Sequence, residues 1–135
     1  MADVFTQDKR SSIMANVKGR NTKPELVVRS IIHRMGFRYR LHVADLPGKP
    51  DIVLPRHKKV IFVNGCFWHG HKDCPRAKRP TTNTSSWDAK LDENILRDKR
   101  NVRKLKKDGW HTLTIWECEI KDRDKIYHKL SRFLQ

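Results

Sequence analysis

The sequence predicts a mixed α/β fold with a sheet sandwiched between helices, and three observations lead there. Apolar residues recur at helical spacing in residues 22–36, 87–109 and 120–134. Between them lie short runs with strand character at 37–43, 52–54, 60–63 and 110–117. No internal repeat or low-complexity block interrupts them, and such an order of elements builds a layered domain. At 135 residues, the length fits one domain spanning 1–135 around a single apolar core.

Residues 1–20 are polar and basic with few apolar anchors, so they read as an arm or a loosely held helix. In "NTKPELVVRSIIHRMG", Thr22 and Glu25 have capping-box spacing, Pro24 suits the first turn and Gly36 closes the helix. Val27, Val28, Ile31, Ile32 and Met35 form its buried face. Phe37, Tyr39, Leu41 and Val43 then alternate as in a strand with one wet face. Beyond the turn "DLPGKP", Ile52 to Leu54 and Val60 to Val63 read as a hairpin whose turn centres near His57, which sets Asp51 opposite Val63. Residues 75–87 read as a polar loop ending in Trp87. The helix "WDAKLDENILRDKRNVRKLKKDG" turns Leu91, Ile95, Val102 and Leu105 inward and ends at Gly109. "WHTLTIWE" is a strand, and 120–134 is a closing amphipathic helix.

Composition narrows the partners. Thirty Lys and Arg against 15 acids give a net charge of +15, a field that favours a polyanion, with nucleic acid ahead of an acidic membrane surface. No stretch approaches the ~20 apolar residues of a membrane span, and "MADVFTQDKRSS" lacks the apolar centre of a secretory signal. A reducing, cytoplasmic setting is expected. There the odd number of cysteines, three, points to metal or free thiols rather than to disulfides.

Two constellations carry chemistry. Cys66, His71 and Cys74 lie within nine residues and Cys118 follows the last strand; three thiolates and an imidazole make a closed structural zinc site. His69 is a second histidine in the same segment, and spacing alone leaves open which of the two binds metal. The second constellation centres on Asp51. Delivered by a turn to the head of a hairpin strand, its carboxylate suits Mg²⁺, helped by a main-chain carbonyl near Val63. Water and phosphate fill the rest of such a shell, as phosphodiester hydrolysis requires. Taken alone, Asp51 is an ordinary turn residue and Glu25 an ordinary cap.

"PGKPDIVLPRHKKVIFVNGCFWHGH" adds what those residues lack singly. It resembles the very-short-patch repair (Vsr) endonucleases, whose signature is a Pro-Asp strand and an apolar strand ending in Gly-Cys-Phe-Trp-His. The likeness continues through "MANVKGRNTKPE", the "W…K…EN…RD" pattern of residues 87–98 and "GW…IWEC", covering about residues 8–120. It implies a type II restriction-endonuclease-like α/β/α core with a mixed sheet and an added zinc site. The implied activity is a Mg²⁺-dependent nick 5′ of the thymine in a T:G mismatch, left when 5-methylcytosine deaminates. By this resemblance Asp51 and the Val63 carbonyl hold Mg²⁺, and His69 stands near the attacking water or the scissile phosphate. Glu25 and Asp98 bind the metal's water shell or orient that histidine. Cys66, His71, Cys74 and Cys118 hold Zn²⁺. Phe67, Trp68 and Trp87 match the wedge that enters the duplex beside the mismatch, and Met14, Lys90 and Asn94 match positions around it. The family further implies a monomeric, nucleoid-associated bacterial enzyme that can meet mismatch-repair proteins.

One departure concerns the catalytic set. Where the best-described family pattern has Thr-His, this chain has Val63-Asn64. A carbonyl is indifferent to its side chain, but Asn64 cannot titrate, so proton donation to the leaving oxygen passes to another group, for which metal-bound water is suited. Other readings are a Vsr-like restriction-type enzyme cutting intact duplex, a non-catalytic zinc-stabilised DNA-binding module, and a basic RNA-binding protein. The run from Arg97 to Lys107, with seven basic residues and one acid, is expected to meet phosphate along part of its length.

Overall fold

The computed structural model describes residues 22–135; the arm at 1–20 and Met14 lie outside them. The elements are α1 (Lys23–Arg34), β1 (Arg40–Leu41), β2 (Ile52–Leu54), β3 (Lys59–Asn64), α2 (Thr84–Lys107), β4 (His111–Trp116) and α3 (Arg123–Leu134). The four strands form one mixed sheet in the order β1-β2-β3-β4. The first two pairings are antiparallel, and β3 runs parallel to β4. A parallel pair cannot be closed by a tight turn, which is why α2 intervenes as the crossover.

Strand alternation sends the sheet's apolar residues to two different layers. Ile52, Leu54, Ile61 and Ile115 share one core with Val28 and Ile32 of α1 and Ile126 and Leu130 of α3. Val53 and Val60 face the other way and pack with Leu105 of α2. Helices therefore cover both faces, giving the α/β/α sandwich. Each fully buried Ile or Leu contributes roughly 1.5–3 kcal/mol. Among the described residues, no helix is long and apolar enough to cross a membrane.

Several boundaries differ from the sequence reading. The strand expected over 37–43 is a two-residue ladder. Phe37 and Tyr39 do pack on the core, but His42 turns to φ 50 and breaks the extended run. In the hairpin, a 3₁₀ turn over Pro55–His57 followed by left-handed Lys58 shifts the centre by half a residue. Ile52 pairs with Ile61 and Leu54 with Lys59, so Asp51 continues opposite Phe62 rather than Val63. Trp87 is helical, because left-handed Asn83 starts α2 early and its carbonyl accepts the Trp87 N–H at 3.1 Å. The closing helix begins later than 120. Glu119 accepts the Trp116 N–H at 2.9 Å and holds a 3₁₀ turn over Glu117–Lys121, after which Asp122 caps α3 through the Lys125 N–H at 3.1 Å.

Candidate functional site

The parallel register explains how a distant cysteine reaches the others. Asn64 of β3 lies beside Trp116 of β4, so the chain reaches Cys66 and Cys118 two residues past the same rung. Cys66 is fully buried, and its N–H donates to Glu117 Oε1 at 3.0 Å. The donor atoms of Cys66, His71, Cys74 and Cys118 all lie within 4.8 Å of one another. An ion held tetrahedrally with ~2.3 Å bonds to sulfur and ~2.0 Å bonds to nitrogen separates the two donors by about 3.5 Å. Cys118 Sγ and His71 Nδ1 stand 3.5 Å apart. The His71 ring is stacked on Trp116, with centroids 4.1 Å apart and planes at 10°, which fixes its direction. Burial pushes the Cys66 thiol up to about 12. At Cys74 desolvation also pushes upward, but the Arg76 N–H and the two neighbouring thiols outweigh it and hold the group below its ordinary value. A cation in this cluster would displace the remaining thiol protons, so the set is suited to a thiophilic ion.

The two histidines are parted by turns rather than by strand alternation. β3 ends at Asn64, and the chain then folds back through His69 N–H to Gly65 O at 3.2 Å and His71 N–H to Cys66 O at 2.9 Å. Gly70 sits between them at φ 61, so close to α2 that a Cβ would fall 2.4 Å from Ile95 Cδ1. Only glycine fits there. His71 thereby faces Cys118, while His69 Nδ1 lies 2.6 Å from Asp98 Oδ2 of α2. An ionised carboxylate only accepts hydrogen bonds, so in the neutral ring Nδ1 carries the proton and Nε2 holds the lone pair.

The acidic centre forms at the N-terminal end of β2. Asp51 Oδ2 accepts the Val63 N–H at 2.7 Å. Within a strand the N–H and C=O of one residue point to the same side, so the Val63 carbonyl also faces this end of β2. The ladder register continued two steps past Ile52 puts buried Pro50 across from Val63. Proline has no N–H to offer that carbonyl. Burial pushes the Asp51 carboxyl up to about 6, with the Val63 N–H pulling against it; the Glu25 charge adds to the rise, and His42 and His69 oppose it.

Glu25, 1 % exposed, stands beside Asp51 in a set with His42 whose donor atoms lie within 4.8 Å of one another. Its Oε2 accepts from Arg29 Nε at 3.0 Å and also from Arg29 Nη2, and His42 Nε2 lies 2.9 Å away. The His42 N–H donates to the Asp51 carbonyl at 3.1 Å. Glu25 caps nothing with its side chain; Thr22 Oγ1 accepts the Glu25 N–H at 3.4 Å, so only half of the capping box forms. Asn64 ends β3, half-buried, on the rung beside Trp116.

The aromatics gather beside the cysteine cluster. Phe67 meets Trp68 and Trp87 edge-on with centroids 5.1 and 5.5 Å away, and the two indoles are 6.0 Å apart. All three are half-buried against one another rather than fully exposed. Lys90 Nζ lies 5.5 Å from the Trp68 ring, and Asn94 Nδ2 donates to the Trp68 carbonyl at 3.3 Å. Arg79, bound to Asp88 at 3.0 Å and Asp92 at 2.6 Å, ties the preceding loop to α2. Of the candidates in the described part, sequence reasoning missed His42, Arg29, Pro50 and Glu117. Pro50 had a signal, since a proline next to a strand leaves a facing carbonyl without its donor.

Residues 2–76 match the family described as DNA mismatch endonuclease Vsr. The chain is 40 % identical over 134 residues to the type II nicking enzyme V.XorIIP of Xanthomonas oryzae pv. oryzae, covering 99 % of this chain and 98 % of that one. It is 39 % identical over 126 residues to the DNA mismatch endonuclease Vsr of Escherichia coli K12, covering 93 % and 80 %. Among solved structures, the catalytic domain of the homing endonuclease I-Bth0305I matches with a TM-score of 0.60 and 26 % identity, over 84 % of this chain and 94 % of that domain.

Proposed function

This chain belongs to the Vsr family of DNA mismatch endonucleases, and on that premise we propose that it nicks one strand of duplex DNA 5′ of the thymine in a T:G mismatch, with Mg²⁺ as catalytic ion. The observation that carries the reading is the meeting of two units at one end of the sheet. One is the Asp51 carboxylate under the Val63 amide; the other is the His69–Asp98 pair at 2.6 Å. The divalent ion, when bound, supplies Lewis-acid stabilisation of the charge at phosphorus and an acidified water.

The chain's own residues do the rest. Asp51 and the Val63 carbonyl hold the ion, and Pro50 keeps that carbonyl free of a competing strand bond. Asp98 fixes the His69 tautomer, so Nε2 takes the proton of the attacking water. Glu25, anchored by Arg29, receives the hydrogen bonds of the ion's water shell. Asn64 cannot titrate and moves no proton. We assign Zn²⁺ to Cys66, His71, Cys74 and Cys118, where it fixes the segment carrying Phe67, Trp68 and His69. Phe67, Trp68 and Trp87 form the wedge, because unstacking costs less at a wobble pair than at a sound one. Lys90 and Asn94 flank it, and Met14 is given its role at the mismatch by the family resemblance alone. The unit works as one domain and a monomer in the bacterial cytoplasm. The relatives described as nicking enzymes favour one cut strand over two.

A cleavage assay with both strands labelled tests this, using T:G duplexes in many flanking contexts, matched duplexes and an Asp51→Ala control. One Asp51-dependent nick 5′ of the mismatched thymine is expected. Cutting of matched DNA on both strands would replace the reading with a restriction-type activity. Binding without cleavage in every context would reduce the protein to a DNA-binding module.

A further inference from the structure

His42 is the one histidine near the acidic centre to which neither the sequence reading nor the proposed chemistry gives a task. Its placement is costly. It adopts φ 50, the left-handed region that few non-glycine residues enter, although histidine, asparagine and aspartate do so more readily than most. Two bonds hold it there. The main-chain N–H is tied to the Asp51 carbonyl at 3.1 Å, and Nε2 stands 2.9 Å from Glu25 Oε2, with the side chain 18 % exposed. A strained residue whose amide and ring are both fixed to the acidic centre belongs to that centre's function.

From this geometry we propose that His42 Nε2 is a direct nitrogen ligand of the catalytic divalent ion, alongside Asp51, and that it shifts the site's preference from Mg²⁺ towards Mn²⁺. The proposal rests on the reading above that Asp51 binds this ion. Ligands ~2.1 Å from an octahedral ion stand about 3 Å apart when adjacent and about 4.2 Å when opposite. The His42 and Asp51 donors fall within 4.8 Å of each other, near the span of two ligands on one ion. Arg29 donates to the same Glu25 oxygen, so Oε2 keeps a partner when the ring proton moves to Nδ1 and the Nε2 lone pair turns to the ion. Glu25 then meets the ion through water. An all-oxygen shell suits Mg²⁺, whereas replacing one oxygen by imidazole favours first-row transition ions. The Asp51 carboxylate, the Val63 carbonyl and one imidazole would thus make a site that Mn²⁺ fills more tightly than Mg²⁺.

Pulsed EPR on the zinc-loaded full-length protein with Mn²⁺ alone reads the ligand directly. A ¹⁴N coupling of a directly bound nitrogen is expected, and it disappears in His42→Asn, chosen because asparagine tolerates the left-handed backbone. The same variant should bind Mn²⁺ about tenfold more weakly or worse, while Mg²⁺ affinity, measured by competition, changes less than about threefold. His42→Gln serves as a second variant, and circular dichroism checks that both fold. Bound Mn²⁺ without nitrogen coupling in the unmodified protein would overturn the proposal. So would an equal loss of Mg²⁺ and Mn²⁺ in folded His42→Asn, since His42 would then only position Glu25. Mn²⁺ binding that survives Asp51→Ala would instead sink the underlying assignment of the ion to Asp51.

Discussion

The two polar clusters at one end of the sheet are built from opposite materials. Cys66, His71, Cys74 and Cys118 offer soft donors, and these four already saturate a tetrahedral ion. Glu25, His42 and Asp51 offer mainly hard donors, too few to fill an octahedron, so water and phosphate have room beside them. On the proposed function the difference separates holding from reacting: the closed cluster, with its ion, would grip the turn that bears Phe67, Trp68 and His69, and the open one would do the chemistry.

Four predictions break or sharpen that contrast. The largest effect is at the open cluster. Asp51→Asn should lower single-turnover cleavage about 10³-fold or more, yet leave the melting temperature unchanged or higher, because a desolvated carboxyl is removed. A large fall in melting temperature would make Asp51 structural. The closed cluster should behave in the reverse sense. Cys118→Ser should release zinc, measurable by elemental analysis, and lower the melting temperature by about 10 °C or more. Unchanged stability with lost activity would put the chemistry in the wrong cluster.

The third prediction concerns pH in the ion-free protein. The folded-state pKa of Asp51, about 6, lies above the ordinary 3.8. Its contribution to stability is therefore complete below about 4 and is lost as pH rises through 6, by up to about 3 kcal/mol. Urea melts at pH 4.5 and 7.5 should show that fall, and Asp51→Asn should lack it. Smallest is the effect of a charge remote from both clusters. Replacing one phosphate-contacting basic residue between Arg97 and Lys107 by alanine should reduce the salt slope of DNA binding by about one unit and leave mismatch preference intact. An unchanged slope at every such position would return α2 to a merely solvated face.

The closed cluster was legible in the sequence because its chemistry is written in residue type: cysteines have few other uses in a reducing setting. That Cys118 joins the other three followed from arithmetic over donors, and the parallel register of β3 and β4 supplies the physical cause. The helical cores were legible through periodicity, as Val28, Ile32, Ile126 and Leu130 show. The open cluster was half visible. Asp51 was read from its place at the head of a hairpin strand and took its weight, as Glu25 did, from the family resemblance, but His42 lay hidden in an apparent strand. A left-handed turn at one residue leaves no trace in alternation, and the half-residue shift of the hairpin came from the 3₁₀ turn after Leu54. The separation of His69 from His71 was implied by the family resemblance alone, since a strand sets residues two apart on one face; it arises from the turn at Gly70, which is pressed against Ile95.

The division of labour between the clusters is tested most directly by counting metals while following cleavage. Protein freed of loosely held ions by desalting would be analysed for zinc and assayed on a T:G duplex, first without added ions and then with Mg²⁺ alone. The account predicts one zinc retained per chain, no cleavage without added ion, and full restoration by Mg²⁺ alone. Cleavage that persists without added ion and vanishes only when the zinc is stripped would contradict it, placing the chemistry at the cysteine cluster.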